Sequence, residues 1–436
     1  MAGRPKRIVL ASIGSYGDVH PYVAIALGLR ERGHVPVIAT TDVHRQKIEA
    51  LGIGFHPMRP HLGKTADAKV DEVMRQVMDR RKGTEYLFQK ILLPAVRGGY
   101  EDLRQAGTGA DLLITHPIVF GGILLARQTG MPWVSTVLAP ISLPSVYDPW
   151  VISGVPEFFS RLGPAFHRAL YWIFEKLSER WFRDYRRLER ELGLPPGGNP
   201  IFGGQHSPSM VLALFSRVLA TPQPDWPPNT RVTGYCFYDQ EHDRPDMPWE
   251  LEQFLSSGSP PIVFTLGSAA VRDAGDFFEQ SAVAVRQLGR RAVLLVGKET
   301  RCPLGQLAPD VVSFDYVPHS ELFPRAAVTV HQGGAGTTGQ ALRAGHPMLV
   351  VPFAHDQPDN AARVTRLGAA RMLPRWRYNA RSAAEELRIL LSDARYEART
   401  AGIGALVRAE DGVRSACDAI EEMLGKPAAR VSPVCR

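Results

Sequence analysis

The chain has few cysteines, four in 436 residues. Cys236, Cys302, Cys417 and Cys435 are scattered without C-x-x-C spacing, which excludes a zinc ribbon and a disulfide framework. No apolar run reaches the length needed to cross a bilayer. Residues 1–7 lead straight into a strand pattern with no signal-type apolar region, so the cytoplasm is the expected compartment. Long blocks of like charge are missing as well. The net charge of +7 and the pI near 9.3 would permit nucleic-acid binding. The largest basic cluster, 180–190, is however interleaved with Glu179, Asp184 and Glu189, the pattern of a solvated helix face, and no nucleic-acid partner is expected. What the chain does have is length and apolar content. Its 44% of hydrophobic residues and 436 positions predict two domains, each with a sizeable core.

The most informative stretch is 328–360. The β-branched run Val328, Thr329, Val330 reads as the end of a buried strand. Gly333, Gly334 and Gly336 follow, then Thr337 and Thr338 opening a helix that Gly345 and Pro347 stop, and 348–351 forms the next strand. Glycines at a strand-to-helix turn let backbone N–H groups approach a ligand, and a helix start favours negative charge. The pattern predicts a diphosphate cradle, with His331 just before it and Asp356, Gln357 and Asn360 just beyond the next strand. One rival reading uses the same glycines. Gly334 to Gly339 matches G-x-G-x-x-G, and Asp356 stands at the spacing of a ribose-binding acid, as in a NAD(P)-dependent oxidoreductase. Against it, His331 and Gln332 separate the glycines from the strand, the helix is short, and the motif comes late in the chain.

The string His331-Gln332-Gly333-Gly334-Ala335-Gly336-Thr337-Thr338, with Gly345-His346-Pro347, Val351-Pro352, Asp356-Gln357 and Asn360-Ala361, resembles the donor signature of GT-B family 1 nucleotide-sugar glycosyltransferases. The Asp225-Trp226-Pro227 and Thr233-Gly234-Tyr235 runs are similar to the sterol and rhamnolipid branch. The resemblance implies an α/β fold of two Rossmann-like doubly wound parallel-sheet domains facing across a cleft, with a C-terminal helix crossing back. The chain turns proline-rich over 221–248, the composition of an interdomain linker with a strand-like interruption over 232–237. An acceptor domain is therefore expected at 1–225, the linker at 226–248, a donor domain at 249–408 and the crossing helix and tail at 409–436.

In the N-terminal half, a strand over 7–12, a loop from Gly14 to Asp18, a helix with Pro21 in its first turn and a strand over 35–39 predict a βαβ unit. Ligands of such a sheet sit beyond the carboxyl ends of the strands. Asp18 there reads first as a helix N-cap. The resemblance puts it on the position of the catalytic base, with Gly14 and Ser15 beside the donor and His20 as the competing base. A further strand over 110–115 ends at His116, either a turn residue or a partner for Asp18; the local sequence departs from the family's dyad pattern. From 142 to 194 the chain turns aromatic. Phe166, Leu170, Ile173, Leu177, Trp181, Tyr185, Leu188 and Leu192 predict one long amphipathic helix ending near Gly193. Core packing, an acceptor pocket walled by Tyr147, Trp150 and Trp172, and a peripheral membrane contact beside Arg183, Arg186 and Arg187 all fit. The pocket is preferred, because this region varies with the acceptor in the family.

In the C-terminal half, strands are expected over 261–266, 293–296 and 311–317. The resemblance assigns Gly267 and Ser268 to the distal phosphate, Tyr316 to stacking on the nucleobase with Val317 pairing its edge, and His331, Gly333, Gly334, Ala335, Gly336, Thr337 and Thr338 to the diphosphate. Asp356 and Gln357 would hold the sugar. Gly339 stands where many uridine-specific relatives carry a ribose-binding Glu, which fits acceptance of thymidine-linked donors. The expected reaction is inverting transfer of a hexose, glucose or a deoxyhexose such as rhamnose, from a UDP- or dTDP-sugar to a hydroxyl of an apolar small molecule. Asp18 would serve as base with a pKa raised by burial, and His116 as its neighbour. No Asp-X-Asp triplet is present and a helix start can do a cation's work, so no obligatory metal and no cofactor beyond the nucleotide-sugar co-substrate are expected. A monomer or homodimer is expected. A non-catalytic nucleotide-sugar-binding partner protein is the remaining alternative.

Overall fold

A computed structural model of the chain describes residues 4–61, 68–152, 157–239, 247–297 and 307–425. Cys302, Cys435, part of the expected linker and the end of the tail lie outside the described residues.

The first sheet is built from β1 (Arg7–Ala11), β2 (Val35–Thr40), β3 (Gly54–Pro57), β4 (Leu112–Thr115), β5 (Trp133–Val137), β6 (Val211–Ala213) and β7 (Thr230–Val232), in the order β3-β2-β1-β4-β5-β6-β7. The second contains β8 (Ile262–Thr265), β9 (Ala292–Leu295), β10 (Val311–Phe314), β11 (Val328–His331), β12 (Met348–Val350) and β13 (Ala370–Met372), in the order β10-β9-β8-β11-β12-β13. Every pairing in both is parallel. Parallel strands covered on both faces are mostly apolar, and β1, β4, β8 and β9 are short apolar runs broken only at their ends, by Arg7, Thr115 and Thr265. The order reverses between β1 and β4 in one sheet and between β8 and β11 in the other. A crevice opens at such a switch point, so the loops after these four strands are where ligands can enter.

Helix α1 (Tyr16–Glu31) is apolar on nearly all sides because it is covered twice, by the first sheet and by the last helix of the chain. Pro21 lies inside α1, well past its first turn, because Ser15 caps the helix earlier than the proline suggested. The last described helix, Gly412–Gly425, crosses back as expected: Ala416, Cys417, Ala419 and Ile420 share a core with Val19 and Val23. A reciprocal crossing was not foreseen. Helix α2 (Ala68–Val77) belongs to the N-terminal half, yet Val77 and Met78 are buried among Leu266, Phe353 and Ala354 of the C-terminal half.

Two expectations are corrected. The long helix at 166–192 is two, α3 (Pro164–Glu179) and Arg183–Glu191, joined by a 3-10 turn. Its stripe is not uniformly buried: Tyr185 and Leu188 are, but Phe166, Ile173 and Leu177 face outward. The strand within the proline-rich segment comes earlier than 232–237, as β7, which closes the edge of the first sheet.

Candidate active site

The turn after β1 is shaped around a carboxylate. Gly14 has φ +137°, and a Cβ there would lie 2.3 Å from an Asp18 carboxylate oxygen, so only glycine lets the side chain fold back over the turn. Asp18 is the third residue of α1, not its cap. Its Oδ2 accepts from the Ser15 N–H at 2.8 Å and the Ser15 hydroxyl at 3.0 Å, the return arm of a capping box. Its Oδ1 faces His116 Nε2 at 3.6 Å. The Ile118 N–H donates to His116 Nδ1 at 3.3 Å, which leaves the imidazole proton on Nε2, toward Asp18. The two residues that follow β1 and β4 are therefore paired at the switch point. Burial pushes the Asp18 carboxyl up, but attraction to His116 and the Ser15 donors outweigh it, so its pKa lies below the usual value. The expectation of a raised pKa is overturned by these contacts. His20 turns away from this cluster, with its Nε2 2.9 Å from the Lys47 ammonium and its ring against Tyr16 and Tyr238.

The opposite wall starts at the end of β11. Gly333 has φ +90°, and a Cβ there would meet Val350 and the Gln357 carbonyl. Its N–H donates to His331 Nδ1 at 3.1 Å. Complete burial pushes the His331 imidazole down to about 3, so the ring is neutral and carries its proton on Nε2. Helix α4 (Ala335–Ala344) is capped by Gly334, and its first intrahelical bond runs from the Thr338 N–H to the Gly334 carbonyl at 2.9 Å. The unengaged donors at this end are thus Ala335, Gly336 and Thr337. Four buried polar atoms around the cradle have no hydrogen-bond partner: His331 Nε2, Gln332 Oε1, Thr338 Oγ1 and Asn360 Oδ1. Buried polar atoms are seldom left unpaired, and so dense a group marks a place for a polar ligand.

Helix α5 (Gln357–Arg366) supplies the floor. Asn360 Nδ2 donates to the Gly333 carbonyl at 2.9 Å and to Asp356 Oδ2 at 2.8 Å, tying the acid to the cradle. Gln357 Oε1 accepts from the Phe353 and Ala354 N–H groups, so only its amide nitrogen remains for a ligand. Burial, reinforced by the Asp18 charge, raises the Asp356 carboxyl to about 7. Ser268 is exposed on the helical turn Gly267–Ala270, and Tyr316 is 47% exposed beside the His319 ring, with Val317 buried behind it. The two walls meet closely: a Cβ at Gly336 would lie 3.8 Å from Gly17 Cα, placing the starts of α1 and α4 against one another.

The expected acceptor aromatics are not gathered into one wall. Trp150 packs between Tyr171 and Phe202, whereas Tyr147 and Trp172 are 52% and 60% exposed. This loop instead docks on α5, where the Val151 N–H donates to Asp359 and Asp148 pairs with Arg363. Gly339 is explained by packing, since a Cβ there would lie 2.8 Å from the Tyr235 ring. Asp359, Arg363, Thr84 and His355 were not singled out from the sequence, because a charge or a threonine in a helical pattern gives no sign of what it meets across the chain.

Two doubly wound parallel sheets whose switch points face each other, one bearing the Asp18–His116 pair and the other the glycine turn before α4, define the GT-B class of fold. The comparisons agree. The Glycosyltransferase family 28 N-terminal domain matches residues 8–116, and the erythromycin biosynthesis protein CIII-like C-terminal domain matches 283–417. O-mycaminosyltylonolide 6-deoxyallosyltransferase of Streptomyces fradiae is 34% identical over 429 residues, covering 95% of this chain and 97% of that protein. A sterol 3-beta-glucosyltransferase of Emericella nidulans is 31% identical over 95% of this chain, which spans only 30% of that longer protein. Among solved structures, the glycotransferase of kitacinnamycin superposes with a TM-score of 0.73 at 23% identity, over 96% of this chain and 99% of that one. A spinosyn rhamnosyltransferase bound to spinosyn aglycone gives 0.67 at 18%, over 95% and 100%. The chain belongs to the GT-B family 1 glycosyltransferases and is a hexosyltransferase.

Proposed function

We propose that the chain catalyses inverting transfer of a hexose from a UDP- or dTDP-sugar to a hydroxyl of an apolar natural product, polyketide-like, phenolic, sterol or lipid. The observation that carries the reading is the placement of Asp18 and His116 directly across from the unpartnered donors of the 331–338 cradle. The acceptor oxygen bonds to the anomeric carbon as the bond from that carbon to the diphosphate breaks. Asp18 takes the acceptor proton, with His116 Nε2–H beside it. A weak base suffices, because the hydroxyl becomes acidic as its oxygen bonds to carbon. The charge growing on the diphosphate is met by His331 Nε2–H, the Ser268 hydroxyl and the N–H groups of Ala335 to Thr337. Asp356 and the Gln357 amide hold sugar hydroxyls so that the attack is in line. In this reading the start of α4 supplies the stabilisation a cation would otherwise give, and the reaction needs no metal. The matched relatives, named for O-mycaminosyltylonolide and for sterols as acceptors, support an apolar acceptor.

Calorimetric titration with uridine diphosphate and thymidine diphosphate, without added metal, tests this directly. Binding of either is expected, and their ratio reports which nucleotide the site prefers. Silence from both, with binding of a nicotinamide dinucleotide instead, would overturn the reading.

A further inference from the structure

His355 lies on the turn between β12 and α5, immediately before Asp356. Among the described residues it is the one non-glycine with positive φ, +59°. L side chains avoid that region, and where one is held there the surroundings over-determine it. Here they do so from the other half of the molecule. His355 Nδ1 is 3.1 Å from Thr84 Oγ1, and the Val77 carbonyl lies beside the ring. The tight turn that presents both groups requires Gly83, where a Cβ would come within 2.1 Å of the Val77 carbonyl.

This contact ends a longer attachment. Arg272, whose side chain is 8% exposed, pairs with Asp71 of α2 at 2.7 Å, immediately after the helical turn that carries Ser268. Arg80 stacks 4.0 Å from the Trp376 ring centre. Val77 and Met78 are buried in one cluster with Phe353 and Ala354, the two residues before His355. The arm from α2 to Thr84 is thus packed against both the phosphate turn and the sugar turn of the opposite half. Any relative displacement of the halves must break it or move those turns with it.

We propose that His355 is a positioning residue for the transfer reaction, joining the Asp356 turn to the α2 arm and so fixing the separation of Asp356 from Asp18 across the cleft. The strained backbone serves this role, because only a left-handed residue at 355 turns the imidazole toward Thr84 while Asp356 remains at the start of α5. The rate part of the inference rests on the proposed function; the distance part does not.

The test uses the full-length protein with His355→Gly, Thr84→Val, the pair combined, and His355→Asn. Glycine adopts the left-handed turn freely. His355→Gly is therefore expected to keep the melting temperature, to lower kcat about tenfold, to leave donor KM within about twofold and to raise donor hydrolysis relative to transfer. Thr84→Val should act in the same direction, and the double variant should be no worse than the poorer single, since both remove one contact. Asparagine, which tolerates the turn and keeps a polar head, should restore part of the rate. Electron–electron resonance distances between one spin label on each half should broaden in His355→Gly. Unchanged kcat, hydrolysis ratio and distances would overturn the proposal. If the unmodified protein transfers no sugar, the proposed function fails, and the distance distribution still decides: broadening supports the bridge and no change removes it.

Discussion

Asp356→Asn should stabilise the ligand-free protein, and increasingly so as the pH rises. Asp356 titrates near 7 in the fold against an ordinary value of 3.8, because it is buried and faces the charge on Asp18. Between those values the folded chain holds a proton that the unfolded chain has released, so stability falls as pH rises from about 4 to about 7 and is level above. The full penalty is roughly 4 kcal/mol, from about 3 pKa units at 1.36 kcal/mol each. About half of it accrues between about pH 5.5 and about pH 8.5. Asparagine keeps an oxygen for Asn360 and carries no charge, so its advantage should grow by roughly 2 kcal/mol over that interval. For a domain of this size that corresponds to about 4–8 °C in Tm. Thermal melts of both proteins at the two pH values read the difference directly. A Tm difference that does not change with pH, or a variant less stable at the alkaline end, would refute the electrostatic account. The variant should at the same time lose transferase activity, having lost the sugar-holding carboxylate.

Asp18→Asn should lower kcat at least about a hundredfold while nucleotide affinity, measured by calorimetry, stays within a few fold. It should also lower the pKa of Asp356, visible as a smaller pH dependence of Tm. His331→Ala should weaken nucleotide diphosphate binding by roughly tenfold, the worth of one buried donor. In the unmodified protein that affinity should not titrate with His331 between about pH 5.5 and about pH 8, since burial keeps the ring neutral throughout. Gly339→Glu should cost about 1–3 kcal/mol in urea unfolding through its clash with Tyr235, and should give no new preference for uridine diphosphate.

The sequence by itself determined the alternation of short apolar strands with helices, hence two parallel sheets, and the strand, glycine turn and helix over 328–344. These are local patterns: β-branched runs, glycines at a strand-to-helix turn and a helix stop are written within a few adjacent residues. Asp18 was legible as part of the start of α1 but not as its third residue, because the return bond to Ser15 depends on a glycine turn whose φ the sequence does not state. The long apolar stripe over 166–192 was legible as helical but not as exposed, since periodicity shows that a face is apolar and not what covers it. Only the tertiary structure decided that His116 stands beside Asp18, that Tyr235 reserves Gly339, that the arm through Thr84 reaches His355 and that Asp356 feels the charge of Asp18. Each of these joins residues from about 100 to about 340 positions apart, and a field or a contact at that separation exists only once both sheets have packed and brought their switch points face to face.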